Sequence, residues 1–165
     1  MDRLWSPWRY QYISAADPSS DCVFCVKAAE GRDAENYIVF RGKSNYILLN
    51  LFPYTTGHLM IAPYQHISNL EDAPEPVLVE MMQLTRDAVR QLKAVYRAEG
   101  INLGMNLGRS AGAGIAGHIH MHVLPRWTGD ANFMTTIGET RVLPEDLLTT
   151  HRKLSQAFRG VALNG

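Results

Sequence analysis

The segment GHIHMHVL places histidines at positions 118, 120 and 122, and no other feature of the chain restricts its fold so tightly. Residues two apart share a face only in an extended strand; in a helix they point to nearly opposite sides. His118, His120 and His122 are therefore expected to line one face of a strand, with Ile119, Met121 and Val123 filling the other. The segment reads as half apolar core and half imidazole surface. At a rise of about 3.3 Å per residue, neighbouring imidazoles stand about 6.5 Å apart and the outer two about 13 Å, so two can lean onto one metal and three cannot. This spacing predicts different jobs for the three histidines and disfavours a hydrolase that uses all of them to hold a metal-bound hydroxide.

The remaining pattern completes an α+β domain over residues 1–165. NYIVFR (36–41) and NYILLN (45–50) flank a GKS turn and read as a hairpin, and HLMIAP (58–63) is a third strand ended by Pro63. INLGMNL (101–107) and GHIHMHVL (117–124) bring the count to about five short strands, suited to an antiparallel sheet. Between the third and fourth strands, Val77, Met81, Leu84, Ala88, Leu92 and Val95 recur at helical spacing, with Gly100 as the stop. This predicts a long amphipathic helix whose apolar stripe serves core or dimer packing. A C-terminal helix is expected over 144–159, opened by Pro144 and closed before Gly160.

Charge narrows the partners. The 16 basic and 16 acidic residues cancel, so there is no basic field for long nucleic acid, and any phosphate recognition must be local. No apolar run has the length of a membrane span, and MDRLWSPWRYQYI carries charges and aromatics rather than a signal core; a cytoplasmic location is expected.

Two motifs carry chemistry. In DCVFC, Cys22 and Cys25 have the spacing that brings two thiolates to one cation, but they supply half of a tetrahedral site. His66 and His118 are the best candidates to close it as structural zinc, which would leave His120 and His122 for catalysis. Two ordinary buried thiols are the alternative; a disulfide is disfavoured in the cytoplasm, and the loop-like SAADPSSD before Cys22 does not suit a redox strand–helix motif. In NLGRSAGAGIAG, glycines at 108, 112, 114 and 117 let backbone N–H groups approach a phosphate, and Asn106, Arg109 and Ser110 add side-chain donors. This turn leads directly into the histidine strand, so an anion would sit beside an imidazole able to act as a nucleophile near neutral pH. The chemistry inferred is phosphoryl or nucleotidyl transfer through a phosphohistidine. Phe24, Phe40 and Ile47 are candidates for a base pocket or for plain core.

At these residues the chain resembles the histidine triad superfamily, whose alternating His-apolar pattern matches His118 to Leu124 at every position; CVFC and LLNLFPYTTGHLMIAPYQHI extend the likeness. The resemblance implies a HIT-like fold, typically a homodimer with a long helix at its interface. It implies His120 as the nucleophile toward the α-phosphate of a nucleotide, with His122 positioning or protonating phosphoryl oxygens. It also implies a zinc set of Cys22, Cys25, His66 and His118, a ribose contact at Asn50, and His58 as a structural residue or a neighbour of the phosphates. The flanks LWSPWRYQYI and RWTGDANFM resemble the superfamily's bacterial diadenosine tetraphosphate phosphorylase branch, which implies cleavage by inorganic phosphate to ATP and ADP with no organic cofactor. Many hydrolases of the family carry Gln or Ser just before the triad, where this chain has Ala113, Gly114, Ile115 and Ala116; backbone N–H groups of residues 106–114 would then hold the phosphate. The rivals are a dinucleoside polyphosphate or nucleoside phosphoramidate hydrolase using the same histidine, and a nucleotide-binding sensor in which the triad only grips phosphate.

Overall fold

NYILL and LMIAP are apolar along almost their whole length, a pattern that suits strands covered on both faces rather than one. The computed structural model, which describes residues 21–138, 140 and 142–161, bears this out: β2 (Asn45–Leu49) and β3 (Leu59–Pro63) are buried at every position. They form the middle of a five-stranded antiparallel sheet with β1 (Ile38–Arg41), β4 (Gly100–Gly104) and β5 (Met121–Arg126), in the order β1-β2-β3-β5-β4. The aromatic residues Trp5 and Trp8 lie outside the described residues.

Two helices cover one face. They are α2 (Glu75–Tyr96) and α4 (Leu147–Phe158); the helices α1 (Val23–Ala29) and α3 (Phe133–Thr136) complete the set among the described residues. Ile47, Leu49, Leu59, Ile61, Ile119 and Val123 meet Met81, Leu84, Ala88 and Leu92 of α2 and Leu154 and Phe158 of α4 in the larger core. The opposite face carries a smaller cluster in which Phe24 of α1 packs with Ile38, Tyr46, Leu48, Met60 and Ala62. A register shift between Ile38 and Phe40 lets Val39 and Phe40 both join the helical core while Ile38 joins the other.

Several expected boundaries move. The long helix stops before Gly100: Arg97 turns left-handed (φ 51°) at its C-terminus, and Gly100 begins β4. β4 ends at Gly104 rather than 107, and β5 starts at Met121 rather than 117, so His118 and His120 precede the strand and only His122 lies within it. Their backbone is held differently: the Ile119 N–H donates to the Ile67 carbonyl (2.8 Å) instead of joining the main ladder. The C-terminal helix begins at Leu147, capped by Asp146, whose carboxylate accepts the Thr149 N–H (2.8 Å). The expected imidazole surface is a buried row, because Phe24 of α1 lies on His118 and His120 while Tyr54 and His58 pack on His122; the three are 1, 6 and 9% exposed. No helix among the described residues is long and apolar enough to cross a membrane.

Candidate active site

Cys22 caps the start of α1 and Cys25 lies one turn on, which puts both sulfurs on one side of a short helix while Phe24 faces the sheet. The segment after β3 brings His66 beside them, and the Ile119–Ile67 hydrogen bond holds this segment against the triad. The ligand atoms of Cys22, Cys25, His66 and His118 all lie within 4.8 Å of one another. His118 Nδ1 is 3.3 Å from Cys22 Sγ and 3.6 Å from Cys25 Sγ, and His66 Nδ1 is 3.4 Å from Cys25 Sγ. With metal–sulfur and metal–nitrogen bonds of about 2.3 and 2.0 Å, the sulfur–nitrogen edge of a tetrahedral zinc site is about 3.5 Å, so these four residues fit such an ion. Their protonation fits as well. His118 Nε2 lies 2.9 Å from the Pro63 carbonyl, which can only accept, so the proton is on Nε2 and the Nδ1 lone pair faces the sulfurs. Burial and the adjacent Cys22 push the Cys25 thiol up, a penalty that a cation between the sulfurs would offset.

The same reasoning assigns the other imidazoles. His120 Nδ1 is 2.9 Å from the His118 carbonyl, so Nδ1 carries the proton and Nε2 keeps its lone pair. His58 Nδ1 accepts the Tyr54 backbone N–H (3.2 Å) and faces the Asn50 amide nitrogen at 3.4 Å. Its proton must then be on Nε2, which donates to His122 Nδ1 at 2.9 Å. That leaves His122 with its proton on Nε2. The Tyr54 backbone amide, acting through His58, thus makes one triad imidazole a donor, while a carbonyl makes its neighbour an acceptor. The His120 and His122 ring centroids lie 4.8 Å apart, so the lone pair and the donor sit side by side. Burial lowers all of these imidazoles: His120 falls below its ordinary value, and burial together with neighbouring imidazoles takes His122 to about 4 and His58 to about 3. All are neutral near pH 7.

Asn50 is half-buried at the end of β2, where its Oδ1 accepts the Phe52 N–H (2.9 Å). The glycine-rich segment forms an exposed turn around a short 3-10 helix (Arg109–Ala111), with Gly108 and Gly112 at φ 78° and 85°. Three of its amides turn inward: Ala111 and Ala113 donate to the Gly108 carbonyl and Gly112 to that of Arg109. The amides of Gly108, Arg109, Ser110 and Gly114 have no such backbone bond in the turn, and Asn106 is half-buried beside it. Of the three base-pocket candidates, Phe40 packs on Phe158 and Ile47 lies in the helical core, whereas Phe24 alone reaches the triad. Sequence reasoning does not assign His58 as the group that sets the state of His122, or Phe24 as the ring packed on His118 and His120. The needed signal is register: His58 stands two residues before Met60, which pairs with His122.

The HIT domain family matches residues 32–129. The chain belongs to the histidine triad family. This HIT protein is 44% identical to the AP-4-A phosphorylase of Mycobacterium tuberculosis, over 94% of this chain and 83% of that protein, and is an enzyme of the family. Its fold matches a Zn-bound histidine triad family protein from Mycobacterium smegmatis with TM-score 0.68 at 26% identity, covering 84% of this chain and 94% of that one. A hypothetical histidine triad nucleotide-binding protein from Sulfolobus tokodaii matches with TM-score 0.68 and 26% identity over 84 and 92% of the two chains.

Proposed function

We propose that this enzyme cleaves diadenosine tetraphosphate by phosphorolysis, through adenylate carried on His120. The observation that carries the reading is the hydrogen bond from His120 Nδ1 to the His118 carbonyl, which leaves Nε2 as an unprotonated nucleophile. That lone pair attacks an α-phosphorus, the bond to the bridging oxygen breaks, and ATP leaves with the bonding electrons. An oxygen of inorganic phosphate then attacks the same phosphorus, the phosphorus–nitrogen bond breaks, and ADP is released with His120 restored. His122, with its Nε2 proton, donates to phosphoryl or leaving oxygen and is itself held by His58. His118 orients His120 through its carbonyl.

Asn50 is assigned to the ribose. Asn106, Arg109, Ser110 and the backbone at Gly108 and Gly114 are assigned to substrate phosphates and the entering phosphate, with the outward amides of the turn as donors; Gly112, whose amide is spent on the Arg109 carbonyl, contributes the left-handed backbone that shapes the turn. Cys22, Cys25, His66 and His118 would hold zinc, which supplies a structural tie between α1 and the triad segment rather than reaction chemistry. Residues 1–165 act as one catalytic unit, cytoplasmic and homodimeric. Support for the dimer comes from the solvent side of α2, where Leu78, Val79 and Met82 line an apolar surface with Gln83 and Arg86.

Product analysis tests the reading. The enzyme is given diadenosine tetraphosphate with and without inorganic phosphate, and AMP is resolved from ADP. ATP plus ADP, formed only when phosphate is present, is the expected result. ATP plus AMP at a phosphate-independent rate would make the protein a hydrolase, and binding without turnover would make it a sensor.

A further inference from the structure

We infer that Phe24 is a positioning residue that ties the Cys22/Cys25/His66/His118 cluster to the nucleophile, so that a change at either is felt at the other. The inference rests on the metal and nucleophile roles proposed above. Phe24 lies between the two cysteines and is 1% exposed. Its ring centroid is 5.2 Å from that of His118 and 4.8 Å from that of His120, so one side chain touches both a cluster imidazole and the proposed nucleophile. Its own carbonyl accepts the Tyr46 hydroxyl at 2.8 Å, and Tyr46 is itself wholly buried and stacked on Tyr64.

α1 has only seven residues, too few to hold its shape alone, so its seat depends on these tertiary contacts. A cation that gathers both sulfurs clamps the helix on either side of Phe24 and presses its ring onto His120. Close-packed interiors pass such displacements on rather than absorbing them. The main chain adds a second, parallel link, since His118 turns its Nδ1 to the cysteines and its carbonyl to His120. Coupling between two sites is reciprocal, so loading adenylate on His120 must alter the cation's ligand field if the cation steadies His120.

The test uses the full chain loaded with cobalt(II), whose visible bands report a tetrahedral sulfur–nitrogen site. Spectra are recorded before and after diadenosine tetraphosphate is added without phosphate, while metal content and adenylyl incorporation are measured on the same samples. The expected result is a band shift on adenylylation in the parent that falls to less than half in Phe24→Leu at equal cobalt content and equal adenylyl incorporation. Phe24→Met, closer in volume, gives the same reading should the leucine variant fail to fold. An equal shift in the variant, or no shift in the adenylylated parent, overturns the inference. Failure to take up cobalt, or to take up adenylate, is visible separately; it refutes the corresponding role proposed above and this inference with it.

Discussion

His120, the proposed nucleophile, is packed into the interior. Its ring is 6% exposed and touches those of Phe24 and His122, so its removal costs a contact that a surface imidazole would not. His120→Ala is expected to lower kcat by about 10⁴-fold or more and to cost about 1–3 kcal/mol of stability. Rates and urea unfolding of the same preparation separate the two effects; turnover within tenfold of the parent would reject the nucleophile. His58 and His122 form a pair through the 2.9 Å ring contact, so in the proposed reaction His58 acts through His122. His58→Leu and His122→Ala should each lower kcat by about 10²-fold, and the double variant should fall little further; additive losses would show that His58 does not act through His122. Residue types and spacing made the triad and the cysteines legible in the sequence. The proton positions were not, because they depend on carbonyls and amides brought in from Pro63 and Tyr54.

The elements were legible where apolar period alone decides them, as for α2 and the two central strands. They were less so where side-chain bonding takes over. β5 starts late because the His118–His120 segment hydrogen-bonds to Ile67 and its own side chains, and α1 escaped notice because seven residues around a C-x-x-C show no helical period. The GKS turn was read as a turn, but its brace was not, since Glu80 lies 35 residues away from Asn45. The Glu80 carboxylate accepts the backbone N–H groups of Lys43 (2.6 Å), Ser44 (2.6 Å) and Asn45 (2.8 Å). Gly42 is required beside it, since a Cβ there would lie 2.8 Å from the Asn45 carbonyl oxygen and 2.9 Å from Glu80 Oε1. Glu80→Leu strands these amides and should destabilise the protein by about 2–4 kcal/mol in urea unfolding. A loss under about 0.5 kcal/mol would mean that water replaces the carboxylate.

Across the whole molecule, the buried imidazoles link stability to pH. His58 and His122 are held down to about 3 and 4, against about 6.5 in the unfolded chain. The unfolded state therefore binds more protons below pH 6.5, so their contribution is intact above that pH and is lost as pH falls toward 4. The slope is up to about 1.4 kcal/mol per pH unit for each imidazole. The urea midpoint should fall steadily between pH 6.5 and 5, above the range where carboxylates dominate; a flat midpoint there would mean the imidazoles protonate in place. Intact-protein mass measurement tests most directly whether adenylate passes through the protein. Mixed with diadenosine tetraphosphate and no phosphate, the protein should gain one adenylyl group per chain, located by fragmentation on His120, and adding phosphate should discharge it as ADP. An adenylyl group on any other residue, or turnover with no adenylyl-protein detectable even in a rapid quench, would contradict the account.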